Sequence, residues 1–176
     1  MQAARRAPVS PSRSRWPVPV AAALLGLGLD QLTKSLAVAH LTPGEPKHLI
    51  GSLLQLHITR NPGAAFSTGT GMTAVLSCIA IVAALVVAWF ALVKARSPLW
   101  ALALGLLEAG ILGNVVDRIF REPSPLKGHV VDFLELPHWP IFNIADCCIT
   151  VAAILIVIQA MRGVKLDGTL EPKATA

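Results

Sequence analysis

The stretch MTAVLSCIAIVAALVVAWFALV, residues 72–93, contains no acidic or basic side chain. A helix needs about 20 apolar residues to cross the hydrocarbon core of a bilayer. Three more stretches come close to that length, at residues 18–41, 98–119 and 141–161. The chain of 176 residues is 54% hydrophobic and 14% charged, which is too apolar for an ordinary soluble domain. We therefore predict an all-α integral membrane protein with four transmembrane helices.

The segments that flank the apolar runs set the predicted domains and orientation. Residues 1–16 are rich in Pro, Ser and Arg and predict a disordered cytoplasmic tail, followed by a membrane domain over residues 17–162 and a cytoplasmic tail over residues 163–176. With four crossings and an internal N-terminus, nine basic residues lie inside and five outside. This excess favours two cytoplasmic termini. A cleaved secretory signal is a weaker alternative, because Asp30 and Lys34 interrupt the first apolar run.

The segment between the first two apolar runs, residues 41–71, carries turn and strand signals. Thr42-Pro43-Gly44 is typical of a turn, and residues 54–59 alternate between apolar and polar side chains as a half-buried strand does. We predict a small extracytoplasmic β-containing segment between helices one and two. Pro62 and Gly63 then favour a turn that fixes the position of Asn61. A lid over a substrate is one role open to residues 41–71.

Polar side chains gather at the outer ends of the predicted helices. Asp30 and Lys34 stand four residues apart on one helix face, which predicts an ion pair within the membrane. A packing latch between helices is the structural alternative for this pair. Asn114, Asp117 and Arg118 share one face of the third helix, and we expect them to point into the bundle.

Two aspartates, fourteen positions apart, lie around the junction of the last two apolar runs. Asp132 belongs to an extended segment at residues 128–136, and helix four is expected to begin near Asn143. Asn143 and Asp146 also fit a capping arrangement, so helix capping is the alternative role for Asp146. Carboxylates next to lipid are costly unless they are paired or hydrated. Because all these polar groups lie on one side of the membrane, we predict a shared site.

Five motifs occur in an order that resembles the lipoprotein signal peptidases, the bacterial signal peptidase II family. They are Asp30-Gln31-Leu32-Thr33-Lys34, Asn61-Pro62-Gly63-Ala64-Ala65-Phe66, Gly113-Asn114-Val115-Val116-Asp117-Arg118, Val130-Val131-Asp132-Phe133 and Phe142-Asn143-Ile144-Ala145-Asp146. The resemblance implies an intramembrane aspartyl endopeptidase of the bacterial cytoplasmic (inner) membrane, active near the extracytoplasmic face. It implies removal of signal peptides from diacylglyceryl-modified prolipoproteins, with cleavage on the N-terminal side of the lipidated cysteine.

The resemblance also implies roles for the matched residues, with Asp132 and Asp146 as the catalytic pair. Four residues are expected to bind substrate or support the pair: Asn61, Asn114, Arg118 and Asn143. Three more are expected as structural polar positions: Asp30, Lys34 and Asp117. Glu108 departs from the family pattern, in which we expect an apolar residue, and we assign it no role.

The expected partners follow from the same resemblance and from the charge pattern. Diacylglyceryl-modified prolipoproteins and membrane lipids are the expected partners of a monomer, and neither a metal nor a cofactor is expected. The basic residues behind the formal net charge of +5 are scattered over the loops without interleaved aromatic residues. We therefore expect no nucleic-acid partner.

Two carboxylates that lie close together share a proton, because both cannot ionise easily. Such a pair can activate a water molecule and protonate a carbonyl or a leaving amine without a metal. The positive N-terminal end of helix four favours an ionised Asp146 and leaves Asp132 as the proton holder of a coupled pair. A bell-shaped dependence of activity on pH is the expected result.

Three other functions compete with a peptidase. A zinc site would use four side chains spaced by threes: His129, Asp132, Glu135 and His138. On an extended segment this spacing scatters the side chains over both faces. A proton-coupled transporter or channel subunit would use membrane carboxylates, although a carrier places them near the midplane. A structural lipoprotein-binding module would cleave nothing, so a cleavage assay separates it from an enzyme.

Overall fold

The computed structural model describes residues 17–63, 71–123 and 125–170. Some predicted features lie outside these ranges: the N-terminal tail, the Ala64-Ala65-Phe66 end of the second motif, residues 64–70 of the possible lid, and residues 171–176 of the predicted C-terminal tail. Every candidate site residue named from the sequence lies within the described ranges.

Four long helices account for the four apolar stretches. They are α1 (Pro17–His40), α2 (Thr73–Trp89), α3 (Pro98–Phe120) and α4 (Ile144–Met161). A π-helical turn, Phe90–Lys94, extends α2. Pro98 begins α3, where a proline loses no helical hydrogen bond. The predicted bounds differ from the observed bounds by a few residues at most.

Three of the helices in the described ranges are long and apolar enough to cross a membrane: Thr73–Lys94, Pro98–Phe120 and Ile144–Met161. The helix α1 does not meet this criterion, because Asp30, Gln31 and Lys34 lower the hydropathy of its second half. The chain is therefore a mostly helical, multi-pass membrane protein.

A three-stranded antiparallel sheet, in the order β1, β2, β3, lies beside the helices. Its strands are β1 (Lys47–Ile50), β2 (Leu54–Asn61) and β3 (Val130–Glu135). The predicted β-containing segment between helices one and two is confirmed by β1 and β2, and the extended segment predicted around Asp132 is the third strand, β3, in the connection between α3 and α4. Cross-strand pairing joins Thr59 to Asp132 and Asn61 to Val130. The sheet therefore carries Asn61 and Asp132 to one place.

The helix α3 lies at the centre of the bundle and approaches its neighbours closely at glycines. A Cβ added to Gly105 would lie 2.6 Å from the Pro19 carbonyl oxygen in α1. One added to Gly110 would lie 2.5 Å from the Ala145 carbonyl oxygen in α4. Small residues at such contacts allow helix backbones to pack tightly in a membrane. Short side chains on α1 and α4 can therefore reach α3.

The chain beyond α4 packs against the turn between α2 and α3. The amides of Arg96 and Ser97 donate to the Leu166 carbonyl at 2.8 and 3.2 Å. The Trp100 indole Nε1 donates to the Val164 carbonyl at 2.8 Å. Residues 163–170, the described part of the predicted C-terminal tail, therefore join the end of α4 to the start of α3.

Candidate active site

Asp132 lies on β3 and is almost completely buried, with 3% of its surface exposed. Its Oδ1 accepts a hydrogen bond from Asn143 Nδ2 at 2.6 Å, and its Oδ2 accepts one from Asn61 Nδ2 at 3.0 Å. Burial raises the pKa of the Asp132 carboxyl from 3.8 to about 6. The bonds from Asn61 and Asn143 oppose this rise in pKa, whereas the charge of Asp146 adds to it.

Asp146 lies in the first turn of α4, where it completes a capping box. Its backbone amide donates to Asn143 Oδ1 at 3.0 Å, and its Oδ2 accepts the Asn143 backbone amide at 3.2 Å. The predicted capping arrangement is therefore confirmed. Asp146 Oδ1 remains available and accepts a hydrogen bond from Asn114 Nδ2 at 3.0 Å. Capping thus uses one carboxylate oxygen and leaves the other for the bond from α3.

Asn143 connects the two aspartates. Its Nδ2 donates to Asp132 Oδ1 and also to Asn114 Oδ1, the latter at 3.2 Å. Its Oδ1 and its backbone amide both bond Asp146. One asparagine, with no exposed surface, therefore links the carboxyl group on the sheet to the carboxyl group on α4.

Arg118 lies on α3 beside this group and is 8% exposed. Its Nη2 donates to the Gly63 carbonyl at 2.8 Å, and its Nη1 lies 3.4 Å from the Asn114 carbonyl. Asp132 and Asp146 are among the carboxylates that attract its charge. The Nε atom is buried, and among the described residues it has no hydrogen-bond partner. The positively charged guanidinium of Arg118 is therefore held next to both aspartates, at the end of β2.

Lys34 is fully buried between two aspartates. Its Nζ lies 2.9 Å from Asp30 Oδ2 and 3.0 Å from Asp117 Oδ2. The predicted ion pair of Asp30 and Lys34 is confirmed, and Asp117 is a second partner that helical spacing did not reveal. Asp30 Oδ1 also accepts the Ala145 amide at 2.8 Å, and Asp117 Oδ2 accepts the Val131 amide at 3.1 Å. These bonds tie α1 and α3 to the residues next to Asp146 and Asp132.

A cavity of about 700 Å³ opens beside the aspartates. Its polar part is formed by Asn61, Asn114, Arg118, Asp132 and Asp146. Its apolar part is formed by residues 139–142 and by the α4 side chains Ile149 and Val151. The wall at residues 139–142 was missed by the sequence reasoning, although the run Trp139-Pro140-Ile141-Phe142 is an apolar and aromatic signal next to a membrane helix. The cavity can hold an extended, partly apolar ligand against two carboxylates.

The four residues of the alternative zinc site do not converge. Within the described ranges, no group of three or more His, Cys, Asp or Glu side chains has a metal-binding arrangement. Glu135 Oε2 is bonded to His57 Nδ1 across the sheet at 2.9 Å, whereas Asp132 is bonded to asparagines. The side chains separate because they lie on or just beyond an extended strand.

Glu108 lies away from the cavity, part way along α3. It is partly buried, and its Oε2 has no hydrogen-bond partner among the described residues. The cavity wall does not include it. The structure gives it no role at this site.

The protein is helical and multi-pass, and two of its carboxyl groups accept hydrogen bonds from asparagine side chains at an open cavity. This is the architecture of a membrane aspartic peptidase. The sequence profile of signal peptidase (SPase) II matches residues 22–162. The chain belongs to the signal peptidase II family, as its motifs predict. It is therefore a peptidase of the aspartic class.

Relatives and solved structures agree with this assignment. A lipoprotein signal peptidase of Rhodococcus jostii (strain RHA1) is 50% identical over 143 residues, which cover 81% of this chain and 72% of the relative. One of Mycobacterium tuberculosis (strain ATCC 25618 / H37Rv) is 45% identical over 161 residues, 92% of this chain and 78% of the relative. A bacterial membrane enzyme solved by the in meso method at 2.3 Å resolution superimposes with a TM-score of 0.76 and 29% identity, covering 89% of this chain and 95% of the other. The transporter alternative has no support among these relatives.

Proposed function

We propose that this peptidase removes signal peptides from diacylglyceryl-modified prolipoproteins by cutting on the N-terminal side of the lipidated cysteine. The name lipoprotein signal peptidase, carried by relatives 45 to 50% identical, supports this substrate class. The observation that carries the proposal is the link through Asn143, which joins Asp132 and Asp146 at the wall of one cavity. Diacylglyceryl-modified prolipoproteins and membrane lipids are the proposed partners of a monomer.

The proposed catalytic groups are Asp132 and Asp146. Burial raises the pKa of Asp132 to about 6, so Asp132 holds a proton at a pH at which an exposed aspartate has lost it. Asp146 accepts hydrogen bonds from Asn114 and from the Asn143 backbone, which suits an ionised carboxylate. In this assignment Asp132 is the acid and Asp146 the base.

The reaction then needs one water molecule. Asp146 takes a proton from the water, whose oxygen attacks the scissile carbonyl carbon, while Asp132 gives its proton to the carbonyl oxygen. The resulting gem-diol collapses when Asp132 takes back a hydroxyl proton and Asp146 passes its proton to the departing amine. The peptide C–N bond breaks, and both aspartates return to their starting protonation states.

The neighbouring residues have supporting roles in this proposal. Asn61, Asn114 and Asn143 hold the two carboxyl groups through amide N–H donors. Arg118 lines the cavity, so the positive charge of its guanidinium is suited to bind a substrate carbonyl or developing negative charge. Asp30, Lys34 and Asp117 are proposed as structural polar residues behind this layer.

We also propose four membrane crossings, with α1 as the fourth. Asp30 and Lys34 are fully buried, whereas Leu24, Leu25 and Leu29 are 65, 75 and 52% exposed. The outward surface of α1 is therefore apolar and fits a lipid environment despite its ionic residues. Both termini then lie in the cytoplasm, and the site lies near the extracytoplasmic face of the inner membrane, within a peptidase domain of residues 17–162.

The proposal is tested by cleavage of a lipidated prolipoprotein peptide and of the same peptide without lipid. The purified chain in detergent should cleave the lipidated peptide at the bond before the modified cysteine, with kcat/KM higher by roughly 100-fold or more, because lipid binding energy is used in the transition state. Equal cleavage of the two peptides would assign the chain a different substrate class. Absence of cleavage of either peptide would refute the proposed reaction.

A further inference from the structure

We propose that Lys34 is a positioning residue that fixes the direction of the Asn114 side-chain amide and, through it, the hydrogen bonds to both aspartates. Lys34 is absent from the wall of the cavity, so it acts through Asn114 and does not contact the substrate. This inference rests on the proposed function, because it concerns the same pair of carboxyl groups.

The Asn114 side-chain amide presents an acceptor on one side and a donor on the other. Its Oδ1 accepts from Lys34 Nζ at 3.1 Å and from Asn143 Nδ2 at 3.2 Å, whereas its Nδ2 donates to Asp146 Oδ1 at 3.0 Å. An ammonium group has donors and no acceptor. A reversed amide would turn Nδ2 toward the ammonium and Oδ1 toward the carboxylate, and both contacts would be repulsive. The Lys34 charge therefore permits one direction of the amide.

Lys34 is held in place by the oxygen atoms around its ammonium group. It has no exposed surface, and its Nζ lies among four oxygen atoms, those of Asp30, Asp117, Asn114 and the Gly113 carbonyl at 3.2 Å. Withdrawal of the ammonium would leave Asp30 and Asp117 as buried charges without this partner, which is strongly unfavourable. The two aspartates thus hold the cation that orients the asparagine.

The orientation of Asn114 also affects Asp132. Because Asn114 Oδ1 is turned toward Lys34, it is also available to accept from Asn143 Nδ2, the same group that donates to Asp132 Oδ1. A reversed Asn114 would present a donor to that donor. One ammonium group therefore orients Asn114 toward Asp146 and keeps the Asn143 donor directed at Asp132.

The test is a double-mutant cycle on kcat between Lys34 and Asn114. The charge-balanced variant Asp30→Asn/Lys34→Met removes the ammonium together with one of its carboxylates and leaves Asp117 paired with Arg121. We expect kcat to fall by roughly 10-fold or more with KM changed less than about 2-fold, because the lost hydrogen bonds act on the reacting groups. Asn114→Leu should show a similar loss, and the triple variant should lose no more than Asn114→Leu alone.

Two measurements separate positioning from general loss of structure. Trp100→Phe, which removes the indole hydrogen bond to the Val164 carbonyl at the other end of the bundle, is the control and should lower the thermal midpoint while kcat stays unchanged. If Asp30→Asn/Lys34→Met does not fold, Lys34→Arg takes its place in the cycle. This variant keeps the positive charge but replaces the single Nζ by a wider guanidinium group. Its kcat loss should likewise vanish on the Asn114→Leu background.

If the losses of kcat from the Lys34 and Asn114 variants multiply when the changes are combined, or if kcat is unchanged in the Lys34 variants, the inference is wrong. Normal cleavage by the wild-type chain in the same experiment would leave the proposed function in place. Failure of the wild-type chain to cleave the lipidated peptide would instead count against the proposed function itself.

Discussion

Replacement of Asn143 tests two roles that the structure combines in one side chain. Its Oδ1 caps α4 by accepting the Asp146 amide, and its Nδ2 donates to the buried Asp132 carboxyl at 2.6 Å. Loss of a cap costs about 1 kcal/mol, and leaving the buried Asp132 oxygen without its donor costs about 1 to 3 kcal/mol. Asn143→Ala should therefore lose roughly 3 kcal/mol of unfolding free energy. Asn143→Ser keeps a capping oxygen, so it should recover about 1 kcal/mol of that loss.

The assay combines unfolding in detergent with the pH dependence of kcat/KM on a lipidated peptide. Both variants should lose roughly 10-fold or more in kcat, because both lack the donor to Asp132. The bond from Asn143 lowers the pKa of Asp132, so its removal raises that pKa further above about 6. If Asp132 is the acid, activity is lost as it deprotonates, and the alkaline limb of the profile should move to higher pH.

Two results would refute this reasoning about Asn143. Equal unfolding free energies of the Ala and Ser variants would show that the capping oxygen does not contribute to stability. An alkaline limb that stays in place, or moves to lower pH, would show that Asp132 does not act as the acid under the influence of Asn143.

The remaining predictions concern stability and packing. Because burial raises the pKa of Asp132 to about 6, this group favours the folded state most below about pH 4, and that stabilisation, roughly 3 kcal/mol, is lost as the pH rises through about 6. Asp132→Asn should therefore flatten the dependence of the thermal midpoint on pH over this range. An unchanged slope of the thermal midpoint against pH would contradict this prediction. Gly110→Ala should cost about 1 to 3 kcal/mol and lower kcat, since its Cβ would meet the Ala145 carbonyl, whereas Gly28→Ala on α1, with nothing within 4 Å, should be neutral or slightly stabilising in the same thermal assay. Trp100→Phe should lose about 1 kcal/mol of unfolding free energy, because its hydrogen bond to the segment after α4 is lost, and should leave kcat unchanged; a loss of kcat would mean that this end of the bundle is coupled to the site.

Local features of the fold were predictable because their signals lie close together in the sequence. The capping of α4 by Asn143 depends on residues three apart, and the pair of Asp30 and Lys34 depends on one helical turn. The start of α3 at Pro98 follows from the chemistry of a single residue. Helix lengths follow from apolar runs that match the bilayer thickness.

Long-range features were not predictable in this way. Pairing of β2 with β3 joins residues that are 69 to 80 positions apart, such as Thr59 and Asp132, and nothing local in either strand specifies that partner. The second ion pair of Lys34, with Asp117, depends on how closely α1 approaches α3, which the glycines of α3 permit. Residues 163–170 contact the rest of the protein through backbone carbonyl groups, so the identities of their side chains do not predict this contact.

Asp132 and Asp146 are proposed to act as one catalytic pair. The most direct measurement compares single-turnover cleavage of a lipidated prolipoprotein peptide by the wild-type chain, Asp132→Asn and Asp146→Asn, each shown to be folded by its thermal midpoint. Either isosteric change should slow cleavage by roughly 100-fold or more, and the two changes together should slow it little further, since the pair works as a unit. Cleavage at the wild-type rate by either folded variant would contradict the claim.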